Sequence, residues 1–268
     1  RSPKDPPRDS AHVMKILCIR HTQDEVAQDP DRLVAKQFAK WHPDGFRDDD
    51  AMFGGRRDPC LSERGVWEAG TGITDEGLRL ELNKQGYGGL PQGLRCKAEE
   101  FQAELILCSP LARAVQTALV AFDKSPAAIL VHPGLKEVNR KGYGPTAKHP
   151  RGKPGAQGIG GKMLQHAVYR HPRSSGAFAD ASLVPEEWFK PHDSWASMCK
   201  TVDEFALWLS ARPERRIAVV SHGGFFKQWL KVEMGHGHFV EGELAAHDDD
   251  PSPAFMLTKF SSGVQLYV

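Results

Sequence analysis

The stretch ELILCSPLARAVQTALVAF, Glu104 to Phe122, decides the fold. It opens as a short apolar run, Glu104–Cys108, of the kind a strand shows when both of its faces are covered. After Ser109–Pro110 the pattern changes to LARAVQTALVAF, which reads as a helix. A proline just inside a helix start costs nothing, because its missing N–H has no partner there in any case. Ala128–His132 then supplies another buried strand. Strand, helix and strand in this order form a crossover unit, and such units build parallel sheets.

The rest of the chain repeats the pattern. Val13–Ile19 is an apolar run suited to a central strand, and Ile217–Val220 is another that leads directly into the helix of SHGGFFKQWL. Helical signals begin near Ser62 and at Thr74; the second places Leu78 and Leu82 on one face and stops at Gly86. Gly86–Gly93 reads as a glycine-rich turn region. Ser194 can cap a helix whose apolar stripe is Met198, Val202, Phe205, Ala206 and Leu209, and Arg212–Pro213 ends it. Phe255–Phe260, a turn at Ser261–Gly263 and Val264–Val268 read as a terminal hairpin. These elements predict an α/β protein, a three-layer α/β/α arrangement with a mostly parallel central sheet. Residues 12–268 form one domain, preceded by a Pro-rich, charged lead-in over 1–11 that reads as disordered. A basic, Gly- and Pro-rich insertion covers about 139–190.

Composition narrows the function classes. The chain has 268 residues, 40% of them hydrophobic and 26% charged, as a globular protein with a sizeable core has. Its formal net charge of +1 gives no case for nucleic acid or a membrane surface as partner. No apolar run has the length of a membrane span. The five cysteines are scattered singly with no metal-ligand or redox spacing, so a disulfide framework is not expected and a reducing, cytoplasmic location is. Any electrostatic function must be local.

In parallel sheets the ligand crevice lies beyond the carboxyl ends of the strands. Arg20–His21 follows the first strand, Ser109 and Arg113 the second, Glu137 the third and Ser221–His222 the fourth. Two arginines and two histidines at one rim make an anion site, and a phosphoryl group suits it because a guanidinium fork matches its oxygens. The helix starting at Gly223 adds N–H donors. A neutral histidine among these cations can attack phosphorus, and the surrounding positive charge keeps its lone pair available. A carboxylic acid at the rim can protonate a leaving alkoxide and later activate water. Phosphoryl transfer asks mainly for positioning and charge stabilisation, which this set supplies without a metal or cofactor.

The chain resembles the histidine phosphatase superfamily, the phosphoglycerate-mutase-like proteins. The matching pieces are IRHTQ (Ile19–Gln23), DPCLSERG (Asp58–Gly65), CSPLARAVQTA (Cys108–Ala118), LKE (Leu135–Glu137) and VVSHGG (Val219–Gly224). SPLARAVQTA followed much later by SHGG is the specific combination. The resemblance implies His21 as the phosphorylated nucleophile, Arg20, Arg113 and His222 as the phosphate pocket with Gly223, and Glu137 as acid/base. It also implies a phosphorylated small molecule or phosphoprotein as substrate. The chain departs from the family at Thr22, where a glycine usually follows the RH pair, and at Ala27, where an asparagine is often found. Gly223 after His222 speaks against the acid-phosphatase and phytase branch, and EVNRKGYG after Lys136 speaks against the mutases.

Three further motifs carry bland readings. AQGIGGKM (Ala156–Met163) lacks the first glycine and the hydroxyl residue of a P-loop. GHGHF (Gly235–Phe239) has two histidines without zinc-site spacing and reads as a loop. Asp248–Asp250 reads as a solvated acidic turn. The insertion places Arg140, Lys141, Arg151 and Lys153 directly after the proposed acid, either as a surface loop or as a second anion subsite for the remainder of the substrate. The expected activity is phosphomonoester hydrolysis through a phosphohistidine. The alternatives are a phosphomutase, or a phospho-ligand or protein-binding scaffold on the same fold.

Overall fold

The computed structural model describes residues 13–22, 61, 63–70, 93–137, 179–185, 195–247, 250–261 and 264–266. In chain order the elements are β1 (Val13–Arg20), α1 (Glu63–Ala69), α2 (Gly93–Phe101), β2 (Leu105–Cys108), α3 (Ala112–Ala121), β3 (Ala128–Val131) and a short 3-10 turn, Pro133–Leu135. There follow β4 (Ala179–Asp180), α4 (Trp195–Ser210), β5 (Arg216–Ser221), α5 (Gly223–Leu230), β6 (Val232–Glu233), β7 (Phe239–His247), β8 (Asp250–Phe260) and β9 (Gln265–Leu266).

Seven strands form one sheet in the order β4-β3-β2-β5-β1-β7-β8. The first five are mutually parallel, and β7 and β8 add an antiparallel edge. Alternation along each strand sends side chains to two separate cores. Leu17 and Ile19 of β1 face the layer of α2 and α3, together with Ile106, Ile129 and Val220. Ile16 and Cys18 face the layer of α4 and α5, where Phe205, Phe225 and Phe226 are fully enclosed. Both sheet faces are covered, which explains why these strands read as unbroken apolar runs. The expected stripe of α4, Met198, Val202, Phe205, Ala206 and Leu209, is buried throughout.

Register brings the parallel strands to one level. Arg20 lies opposite Ser221, Cys108 opposite Val220, and Val131 opposite Cys108. The residues that follow these four ends therefore emerge side by side.

Several expectations need correction. Helix α3 begins at Ala112 with Leu111 at its N-cap, so Pro110 stands ahead of the helix rather than inside it. Ser109 turns the chain there by accepting the Leu111 N–H at 3.3 Å. Gly93 opens α2, so the glycine-rich stretch ends in a helix start and not in a turn. β4 lies within the insertion and pairs with β3, so that segment contributes to the sheet edge. The terminal hairpin is differently composed. Phe255–Phe260 belongs to β8 and pairs with β7, while Gln265–Leu266 pairs with Val232–Glu233 of β6. The register shifts between Glu241 and Gly242 and between Ala245 and His247 place their extra residues in β8. β7 itself alternates, with Val240, Gly242 and Leu244 buried, but Gly242 stands beside Phe255 where an apolar side chain would mark a strand, so its sequence does not read as one. The lead-in, the segment from Thr74 to Gly86 and the motif Ala156–Met163 lie outside the described residues.

Candidate active site

Four of the five parallel strands each deliver one part of the site. β1 ends on Arg20 and hands over His21, whose backbone N–H continues the ladder by donating to Ser221 O at 2.9 Å. β2 leads through Ser109 to Arg113 in the first turn of α3. β3 passes into the 3-10 turn, where His132 Nδ1 accepts from the Gly134 N–H at 3.0 Å, and the chain then presents Glu137. Ser221 Oγ donates to Leu135 O at 2.8 Å, which ties the turn carrying Glu137 to the end of β5. β5 hands over His222, the N-cap residue of α5.

These side chains meet. His21 Nδ1 lies 2.8 Å from the carbonyl oxygen of Thr22. A carbonyl only accepts, so Nδ1 carries the proton and Nε2 keeps a lone pair. Arg113 Nε donates to that Nε2 at 3.2 Å. The adjoining backbone is held as well: the Thr22 N–H donates to Thr117 Oγ1 at 3.1 Å, and that hydroxyl donates to Arg113 O at 2.8 Å. Thr22 Oγ1 also lies 3.3 Å from Thr117 Oγ1, so backbone and side chain together tie the loop after His21 to α3. Glu137 accepts the Gly224 N–H at 3.1 Å, and its Oε2 lies 4.0 Å from Arg113 Nη2 and 3.6 Å from His222 Nδ1. His222 Nε2 is 2.8 Å from Ser109 Oγ. Its Nδ1 is buried with no hydrogen-bond partner among the described residues. A ligand oxygen would satisfy it.

His21 is 2% exposed and His222 fully buried. Burial first, then Arg113, holds the His21 imidazole well below its ordinary pKa, with His222, His236 and Arg20 adding to the effect. His222 is lowered well below the ordinary value by burial, then by Arg113 and Arg20. Both rings are therefore neutral at neutral pH, the state a nucleophile requires.

The remaining wall comes from a segment with no expected role. The turn from Gly235 to His238 closes when the His238 N–H donates to Gly235 O at 3.2 Å. Gly237, at φ +68°, adopts the left-handed conformation that favours glycine. The Gly237 N–H donates to His21 O at 3.2 Å and Arg20 N–H to His238 O at 3.0 Å, which presses the turn against β1. Arg20 Nη1 donates to Met234 O at 2.5 Å and Nη2 to His236 Nε2 at 3.0 Å. The His21 ring thus stands between His222, 5.0 Å away, and His236, 5.1 Å away. The sequence signal for this wall is GHGH itself, whose two histidines lack zinc-site spacing and so read as a loop.

Gly223 also has a definite place. A Cβ there would lie 3.1 Å from Arg20 Cζ and Nη1, so the guanidinium rests directly against the first turn of α5. His21, Glu137 and His222 offer ligand atoms within 4.8 Å of one another, a spacing a metal ion could use. Two arginine charges in the same pocket repel a cation and favour an anion. The structure brings Arg20, His21, Arg113, Glu137, His222 and Gly223 together; Arg140, Lys141, Arg151 and Lys153 lie outside the described residues.

No family model matches the chain, and no curated protein sequence matches it. Solved structures do match its fold. An ecdysone phosphate phosphatase from Bombix mori, in complex with tungstate, matches with a TM-score of 0.50 at 13% identity, over 93% of this chain and 96% of that one. A phosphoserine phosphatase from Entamoeba histolytica, in complex with 3-phosphoglyceric acid, has a TM-score of 0.44 at 18% identity, covering 93% and 97%. The alpha-ribazole phosphatase from Shigella flexneri has a TM-score of 0.46 at 15% identity, covering 91% and 95%. At these identities the likeness is one of fold. No described helix is long and apolar enough to cross a membrane.

Proposed function

We propose that this chain, which carries the histidine-phosphatase fold, is a metal-independent phosphomonoester hydrolase that works through a phosphohistidine on His21. The observation that carries the reading is the state of His21: the Nδ1 proton is committed to Thr22 O, so Nε2 is the unprotonated nitrogen, and its lone pair accepts from Arg113 Nε until that guanidinium turns to the phosphoryl oxygens. In the first step that lone pair attacks phosphorus and the P–O bond to the alcohol breaks. Glu137, as the acid, gives its proton to the departing alkoxide. Arg20, Arg113 and His222 hold the non-bridging oxygens, with the N-terminal turn of α5 behind them, and stabilise the charge of the transition state. In the second step the Glu137 carboxylate takes a proton from water, the oxygen attacks phosphorus, and the P–N bond breaks. Inorganic phosphate leaves and the electron pair returns to His21 Nε2.

The substrate is a phosphorylated small molecule or a phosphoprotein. Arg140, Lys141, Arg151 and Lys153 follow Glu137 in sequence and would contact charge beyond the scissile phosphate. Neutralising them should then raise KM for multiply charged substrates and spare p-nitrophenyl phosphate.

The deciding experiment is His21→Ala. The wild type should hydrolyse p-nitrophenyl phosphate in the presence of EDTA and carry an acid-labile phosphoryl group during turnover. His21→Ala should lose both, with a fall in rate of about 10⁴-fold or more. Full turnover by the variant, or loss of wild-type activity to EDTA, overturns the mechanism.

A further inference from the structure

We propose that His236 is a positioning residue for the phosphate pocket: as a neutral acceptor it aims the Arg20 guanidinium without cancelling its charge. The inference rests on the phosphatase reading and extends it to a residue outside the RH, arginine, glutamate and SHGG motifs. Arg20 has a flexible side chain, and an arginine binds phosphate well only when its fork is oriented beforehand. Among the described residues, Met234 O on Nη1 and His236 Nε2 on Nη2 orient it, both from the segment that leads into β7. Because guanidinium only donates, His236 Nε2 must be the unprotonated nitrogen. Burial first, then Arg20 and Arg113, lowers the His236 pKa to about 3, so the ring stays neutral at neutral pH.

The usual partner for a buried arginine is a carboxylate. In this pocket a carboxylate would compete with the phosphoryl oxygens for the same fork and subtract charge beside a dianion. A carbonyl and an imidazole supply the geometry without that loss. The turn is built for the purpose: Gly237 supplies its left-handed residue, and the Gly237 N–H bond to His21 O fixes His236 relative to the nucleophile.

Glutamine and glutamate separate geometry from charge, since both can place an oxygen where Nε2 stands and only one is anionic. Binding of tungstate, KM and kcat for p-nitrophenyl phosphate, and thermal stability should be measured for wild type, His236→Ala, His236→Gln and His236→Glu. His236→Ala should weaken tungstate binding and raise KM by about tenfold to a hundredfold, the usual effect of losing a hydrogen bond to a charged group. His236→Gln should recover most of this loss, and His236→Glu should bind tungstate more weakly than His236→Ala. Wild type that neither binds tungstate nor turns over defeats the phosphatase reading, and this inference with it. An active wild type whose His236→Ala binds tungstate unchanged leaves the phosphatase standing and overturns the role of His236. So does a set of losses that follows thermal stability alone, or Glu equal to Gln.

Discussion

Two walls face each other across His21, and they are built on different plans. One is made of strand ends: Arg113, Glu137 and His222 arrive from three neighbouring parallel strands whose register sets them level. The other is a single tight turn, Gly235–His238, stitched to β1 by backbone hydrogen bonds. In the proposed mechanism the first wall meets the reacting group with its charge, and the second, which carries none, aims one that does. The difference teaches that a parallel sheet places chemistry by topology, whereas fine orientation of its side chains is left to a loop.

The strand-end wall should show the largest losses. Arg113→Lys keeps the charge but loses the fork and the Nε contact to His21, and kcat/KM should fall by about 10² to 10³. Glu137→Gln should divide its effect by leaving group. An alkyl phosphate needs the proton and should phosphorylate His21 slowly, whereas nitrophenolate leaves without help. With the aryl substrate the intermediate should accumulate, giving a burst of about one phenolate per site before slow turnover. Equal slowing of both substrates with no burst would remove Glu137 from the acid/base role.

The joint between the walls comes next. Gly223→Ala would put a Cβ 3.1 Å from the Arg20 guanidinium, which must then shift. A displacement of this kind beside the chemistry costs about tenfold to 10² in kcat/KM. The α5 backbone itself is not strained by alanine, so thermal stability should hardly change. A large drop in melting temperature with intact kcat/KM would show that Gly223 serves the helix and not Arg20.

pH probes both walls together. His21, His222 and His236 all have folded-state pKa values below that of an unfolded histidine, with burial the leading cause. Below about pH 6.5 the unfolded chain binds protons that the folded protein refuses. Their contribution to stability is therefore complete above about pH 6.5. It is lost as pH falls, down to about 3 for His236. Each such histidine can remove up to about 1.4 kcal/mol per pH unit in its window. Melting temperature should fall steadily from pH 6.5 to 4.5, and less steeply in His236→Gln. Because His21 stays neutral there, kcat/KM should show no fall centred on 6.5. A histidine-like break at that pH would contradict the buried, neutral nucleophile.

How much of this was legible follows from the same contrast. The α/β class, the parallel core strands and the α4 stripe are visible because buried strands write continuous apolar runs and a helix writes a 3.6-residue stripe. The strand-end wall is legible for a related reason, since each of its residues sits just past such a run. β7 is not legible: Gly242 leaves a gap in its buried apolar row, and Glu241 and Glu243 flank that gap. Without β7, Phe255–Phe260 has no local partner but the chain's last residues, and the turn that packs on Arg20 has no strand to lead into. His236 could not be found without knowing that β7 lies beside β1, a long-range pairing that no local pattern records.

The smallest effect expected is at Gly237, and it tests the turn alone. Its φ of +68° is where an L-residue is strained, yet the space beside it is open enough for a methyl group. A Cβ there would meet Thr22 Cγ2 at 3.5 Å and Glu68 Oε2 at 3.7 Å, which are ordinary contacts. Gly237→Ala should therefore cost only the backbone preference, about 1–2 kcal/mol, and lower the melting temperature by a few degrees. Some of that strain should relax by moving the turn, so KM for p-nitrophenyl phosphate should rise by less than it does in His236→Ala. The relation to Gly223→Ala is an inversion: there the Cβ presses on the guanidinium and the backbone is at ease, whereas at Gly237 the backbone is strained and the Cβ fits. Gly223→Ala should thus lose activity at nearly constant stability, and Gly237→Ala should lose stability with a small change in KM. If Gly237→Ala leaves both melting temperature and KM at the wild-type values, the turn does not clamp Arg20, and the two walls are not coupled through it.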